Sequence, residues 1–399
     1  MTTLRDRLAR LPQALGTWLT APAPHAAQRM GLFRIVFALF YLWHLSRYHA
    51  VAVAYWPGEP LPVLGIAWVP DGLPAAVYLG LEAVVIGLLV LLMIGHRTQL
   101  VTVLLLVVGG FYEAFFIAQH YGGSTVFLTV YIPLFMALAG SWGREYSLDA
   151  YLHGGHREEA LARPAEEGFH LMPVRATLIV ASALFLSAGL LKVMAGGTWL
   201  TYTRIMPDTV LHAITENAAA GLPVAPIGRW LSEATWLHDP LRYGVVAFES
   251  LFWLALFGGR LRLLIFGAAL LFHSLNGIWV NVTFTPFLVF YLMFVDWEAW
   301  KQRLGRVLPS VPRWPTLPSA VLVGGSLVLA LTAAASWNLH PGLRDVVSAG
   351  GLLTEETLMY PVLPIALFMI GRALVGAPKT RSTTTRPSKE APKAGTAPA

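Results

Sequence analysis

Leu184-Phe185-Leu186-Ser187-Ala188-Gly189-Leu190-Leu191-Lys192-Val193-Met194 closes an apolar stretch, 173–195, that is interrupted near its end by one lysine. A helix needs ~20 consecutive apolar residues to cross the hydrocarbon layer, and this stretch meets that length. Comparable runs occur at 31–47, 73–95, 98–118, 124–141, 243–258, 261–281, 284–300, 318–338 and 359–375. The expected fold class is therefore an all-α membrane protein, a polytopic bundle of about ten transmembrane helices with both termini cytoplasmic. The composition agrees: 56% of the 399 residues are hydrophobic and 13% charged, too little polar surface to clothe soluble domains.

The net charge of +6 does not point to nucleic acid, because the basic residues lie in short segments between the apolar runs. With ten spans, only Arg47, Arg204, Arg229, Arg242 and Arg344 of the 28 Lys and Arg fall on the non-cytoplasmic side. Arg34 and Lys192 fall within the membrane, which leaves 21 on the cytoplasmic side. That bias is the one the positive-inside rule demands. The expected location is a multi-pass one, in a bacterial inner membrane.

Four segments follow from these runs. Residues 1–29 read as a cytoplasmic interfacial segment, with Leu4, Leu8, Leu11, Leu15 and Trp18 at helical spacing opposite Arg5, Arg7 and Arg10. Residues 30–300 form a membrane domain of about eight helices, and 301–375 add two more. Residues 376–399, rich in Thr, Pro, Ala and Lys, read as a disordered cytoplasmic tail. Two more polar stretches, 142–172 and 196–242, interrupt the series. No inverted repeat supports a transporter built on two halves.

Ionisable groups inside apolar helices are functional candidates because lipid makes them costly. Here they are Arg34, Glu82, Glu113, His120, Lys192, Glu249 and His273. Arg34 or Lys192 paired with one of the glutamates would fix helix register without reacting, the reading preferred for Arg34, Glu82 and Glu249. Lys192 has two readings: a desolvated amine acting as general base, or a lysine that snorkels to the headgroups from a helix end. His273 in Leu271-Phe272-His273-Ser274-Leu275-Asn276 has a bland reading as a hydrogen bond between helices. His120 ends a span on the same side as Lys192. The absence of cysteine excludes disulfides and thiolate metal sites. The twelve histidines are scattered and give no metal-ligand pattern, so no metal is expected.

The order of motifs resembles the horizontally transferred transmembrane domain family, to which vitamin K-dependent γ-carboxylase belongs. The similarity runs from about Met30 to Trp300. Its elements are Gly31-Leu32-Phe33-Arg34-Ile35-Val36-Phe37, Gly95-His96-Arg97-Thr98 closing a long helix, Gln119-His120-Tyr121, and Trp142-Gly143-Arg144-Glu145-Tyr146-Ser147-Leu148-Asp149. Ala188-Gly189-Leu190-Leu191-Lys192 followed by Trp199 resembles the family's most specific stretch, and His273-Ser274-Leu275-Asn276 with Phe284-Thr285-Pro286-Phe287 its close. The resemblance implies an enzyme acting on a quinol, vitamin K-like or otherwise lipid-soluble. Lys192 would be the base that deprotonates it, with His120 stabilising that chemistry and His273 near the quinone. Gly196-Gly197 lengthens the spacing from Lys192 to Trp199 relative to the carboxylase. The alternative function is a noncatalytic membrane partner, a maturation or export helper for a peptide or another membrane protein. The partners expected are the lipid bilayer, a quinone or isoprenoid-tailed molecule, and a peptide or membrane protein, with no nucleic acid.

Overall fold

The computed structural model describes residues 13–23, 25–54, 75–113, 125–140, 142–152, 170–194, 198–201, 233–277, 284–297 and 355–375, with single residues at 208, 211, 215, 230 and 303. Among these no residue is in a strand, so the all-helical part of the expectation holds. A short helix over 13–19 (α1) precedes α2 (Ala26–Ala54) and α3 (Ala75–Ile94). Next, α4 (Thr98–Leu104) runs on into a π-helical turn (Leu105–Gly109), and a second π turn (Phe127–Tyr131) opens α5 (Ile132–Ala139). Then come α6 (Leu148–Leu152), α7 (Met172–Met194) and α8 (Thr198–Thr201). The remaining helices are α9 (Thr235–Leu251) with a 3-10 continuation (Phe252–Phe257), α10 (Gly259–Leu275), α11 (Thr285–Leu292) and α12 (Glu355–Val375).

The expected bundle of about ten spans is corrected here, since spanning takes ~20 apolar residues in one helix. Only two helical stretches among the described residues are long and apolar enough, Met172–Met194 and Thr235–Phe257. Four further helical stretches among the described residues are apolar over a shorter length, 10–17 residues: Gly80–Ile94, Thr98–Glu113, Phe127–Ala139 and Pro361–Val375. The run at 284–300 yields an eight-residue helix, Thr285–Leu292. Helix α2 is long enough but carries Arg29, Arg34, His44 and Arg47, and does not qualify. Hydropathy summed along a sequence cannot see where a helix stops, and that is why the count was too high. The placement of both termini and the side assigned to each loop depended on that count and fall with it. The run at 318–338, the amphipathic residues before 13 and the tail after 375 lie outside the described residues.

The two qualifying helices are not core helices of the usual kind. Only 33% of the apolar window in Met172–Met194 and 28% of that in Thr235–Phe257 is buried. Leu184, Leu190, Leu191, Met194, Trp236 and Phe257 all lie exposed. A helix whose apolar surface is left mostly bare is suited to lipid contact.

Two cores hold the helices together, and α11 belongs to both. Its Val289, with Met293 just beyond it, joins Phe33, Phe37, Tyr41, Leu89, Leu92 and Trp142 in the first. Its Phe287, Phe290 and Tyr291 join Phe185, Phe252, Phe266, Ala269 and Ala366 in the second. Half of the second is aromatic, with Phe185 stacked on Phe252 at 4.2 Å between ring centres and Phe127 against Phe287 at 4.5 Å. Such pairs add about 0.5–1.5 kcal/mol each beyond the area they bury.

The motif residues at the start of the chain lock one corner of the first core. Arg34 is fully buried and donates to the backbone carbonyls of Trp142 (2.6 Å), Glu145 (3.4 Å) and Tyr146. Its partners are thus carbonyls, where a glutamate was expected. Asp149 takes the backbone N–H groups of Arg97 and Thr98, each at 2.7 Å, and the Thr98 hydroxyl at 2.8 Å. It supplies from a distance the cap that α4 lacks in its own sequence, an anion at a helix N-terminus. The indole of Trp142 donates to Thr102 at 2.9 Å. Gly95 has φ +74° and packs on Ser147, with Arg34 Cζ only 2.9 Å from where its Cβ would stand. No side chain fits there, which accounts for glycine at the close of the α3 motif.

Candidate functional site

Helices α7 and α9 cross at Gly189. A Cβ added there would meet Ser250 Oγ at 2.6 Å and Ser250 N at 2.8 Å, so the two backbones touch only because residue 189 has no side chain. One helical turn further along α7, the same face presents Lys192. Its Nζ donates to both carboxylate oxygens of Glu249, the neighbour of Ser250, at 2.7 and 2.9 Å. The Lys192 side chain keeps 20% of its exposure and that of Glu249 9%. Trp199, on α8, lays its ring 5.1 Å from the ammonium. The Ala-Gly-x-x-Lys…Trp pattern therefore has a physical reading: the glycine sets the helix spacing, and that spacing brings the lysine onto a carboxylate and an indole.

This crossing carries a prediction. Gly189→Val forces the backbones apart and is expected to cost about 1–3 kcal/mol, as overpacking does. It should lower the thermal midpoint in detergent, while Gly189→Ala costs less. Equal midpoints for Val and wild type would show that the contact does not hold the helices.

His273 lies on α10 at 1% exposure, with Nε2 3.0 Å from the Tyr291 hydroxyl. Its ring is stacked on Phe287 at 5.3 Å and tilted against Phe284 at 5.1 Å and Phe185 at 6.2 Å. Among the described residues its Nδ1 has no hydrogen-bond partner. Phe185 is two turns before Lys192 on α7, and Phe248 precedes Glu249 and packs on Phe272 at 4.9 Å. The lysine and the histidine thus sit on neighbouring helices joined by one aromatic sheath, each with its own polar partner. The third expected residue, His120, lies outside the described residues.

Two of the other buried acids are at a different place. Glu113, at 1% exposure, faces His44 at 4.0 Å in the first core, and Glu82 is 5% exposed on α3. Sequence reasoning did not single out His44, Tyr291 or Ser250. The first two are aromatic or weakly polar residues within apolar helices, and only the fold shows what they face.

No family model matches the chain, nor does any curated protein or solved structure. The arrangement must speak through its chemistry. A primary amine and a carboxylate 2.7 Å apart, partly shielded from water, form a close ion pair.

Proposed function

We propose that the chain is a membrane enzyme of the γ-carboxylase-like kind acting on a quinol or a similar lipid-soluble substrate, with the Lys192–Glu249 couple as its base. The single observation that carries the reading is the position of Lys192. It is bonded to Glu249, backed by Trp199, and flanked on α7 by the exposed apolar residues Leu191, Val193 and Met194. A substrate dissolved in the bilayer would reach it without passing through water.

The residues present suit such a molecule. Trp199 offers a flat face beside the amine, and the unpartnered Nδ1 of buried His273 offers a polar group at the edge of the aromatic sheath. A quinol, when bound, supplies an acidic hydroxyl and a ring system that tolerates negative charge. Lys192 takes the hydroxyl proton after passing its own to Glu249, so the pair changes its proton count while the site stays compact. The Tyr291 hydroxyl fixes His273 through Nε2 and leaves Nδ1 directed elsewhere.

The test is mass spectrometry of quinones retained by the full chain purified in mild detergent, for wild type, Lys192→Ala and Lys192→Arg. Wild type should retain a naphthoquinone or ubiquinone. Loss of one hydrogen bond to a charged group should reduce retention about tenfold or more in Lys192→Ala. Equal retention in all three, or none in wild type, rejects the reading.

A further inference from the structure

Three arginines gather at the end of the bundle opposite Lys192. Arg175 lies in the first turns of α7, Arg29 in the first turn of α2, and Arg262 just after the turn that ends the 3-10 continuation of α9. Shared packing brings these helix starts together: Ala26 and Met30 of α2, Val174 of α7 and Met293 belong to one core, with Phe294 and Trp297 against it. Phe294 also packs on Phe266 of α10 at 4.8 Å, and Arg262 lies over its ring at 5.9 Å. Arg175 lies over Trp18 at 5.9 Å and donates to the carbonyls of Leu19 (3.0 Å) and Ala21 (2.7 Å). Charge repulsion links Arg29 with Arg175 and Arg175 with Arg262, and Asp296 attracts Arg29.

Like charges gathered on an apolar floor repel, and among the described residues Asp296 offsets this at Arg29. The fold holds them there by bonds that occupy only part of their donors. Arg262 spends Nε on the Ala255 carbonyl at 2.9 Å and Nη2 on that of Leu256 at 3.5 Å, and Arg175 spends Nη1 on Leu19 and Ala21. The Nε of Arg29 is buried with no hydrogen-bond partner among the described residues. An arginine fork with free donors matches the oxygens of a phosphate. The place fits too: Arg175 opens one qualifying span and Arg262 follows the other, which puts both at one boundary between apolar helix and water, beside Trp18.

We propose that Arg29, Arg175 and Arg262 form a binding site for a phosphate group, supplied by the headgroup of an anionic phospholipid. The site is separate from Lys192 and does not depend on the quinol chemistry. Basic pockets between helices at a membrane surface take such headgroups.

The experiment uses the full chain in a neutral detergent, delipidated, with added phosphatidylglycerol, phosphatidylcholine or inorganic phosphate, read by native mass spectrometry and by thermal midpoint. Phosphatidylglycerol should be retained and raise the midpoint, and phosphatidylcholine should not. Arg29→Gln should weaken phosphatidylglycerol retention about fivefold, the share of one basic residue near a charged surface. Arg97→Gln, outside the cluster, should leave it unchanged. Stabilisation by millimolar phosphate without retention of phosphatidylglycerol supports the phosphate site and overturns the lipid as its source. Equal retention of the two lipids with no effect of phosphate overturns the proposal, and needs no variant to fold. So does an Arg29→Gln protein, of normal helical content, that retains phosphatidylglycerol as wild type does.

Discussion

Arg34→Ala is expected to be the most damaging single substitution in the first core. The guanidinium is fully buried, and it satisfies carbonyls of Trp142, Glu145 and Tyr146 in a segment with little regular structure of its own. Removing it leaves those acceptors without donors and opens a cavity beside Trp142. Hydrogen bonds to a charged donor contribute about 1.5–3 kcal/mol each and do not add fully, so the expected loss is roughly 4 kcal/mol. That is a large part of the 5–15 kcal/mol that holds a typical domain. Arg34→Lys keeps the charge but loses the planar fork that reaches several carbonyls at once, and should recover less than half. The check is the thermal midpoint and membrane abundance of both variants. A midpoint for Arg34→Ala within a degree of wild type would show that water replaces the arginine.

The second large effect belongs to Lys192 and Glu249, and it comes as a pattern across four proteins. Glu249→Ala leaves an ammonium without its counter-ion between two apolar helices, and Lys192→Ala leaves a carboxylate. Each should cost about 3 kcal/mol, at the low end for a buried pair because the lysine is partly exposed. The double variant Lys192→Met with Glu249→Leu removes both charges and should return close to wild-type stability. Charge reversal, Lys192→Glu with Glu249→Lys, should restore the fold as well. Quinone retention separates the roles. A base at residue 192 predicts that neither stable double variant recovers it, whereas a mere clamp between helices predicts that both behave as wild type. Additive losses in the double-mutant cycle would mean that the two side chains do not interact.

The sequence made the helical class legible, since apolar runs with helical spacing leave no room for strands. It made the special residues legible as well: Arg34, Lys192, Glu249 and His273 stood out because they are polar where their neighbours are not. Their partners were harder to read. A carbonyl such as that of Trp142 is present at every residue, and nothing in the local sequence marks it as the acceptor for an arginine 108 positions away. The pairing of Lys192 with a glutamate was among the expected options, but the choice of Glu249 follows from the crossing at Gly189 and Ser250, a fact of three dimensions. The number of spans failed for a related reason. A window average treats 98–118 as one unit, whereas the helix there passes through a π turn at Leu105–Gly109.

The bonds of Arg34 also set a timetable for synthesis. The arginine leaves the ribosome well before the carbonyl of Trp142 exists, 108 residues later. At 5–20 residues per second that gap lasts roughly 5–20 s. During that interval a newly made α2 carries a cation with none of its final acceptors. The nascent chain therefore needs a temporary host for that charge, water or a chaperone surface, until the segment around Trp142 arrives. Slower translation between residues 34 and 142 would lengthen the exposure, and proteases acting on new chains would have their best opportunity there.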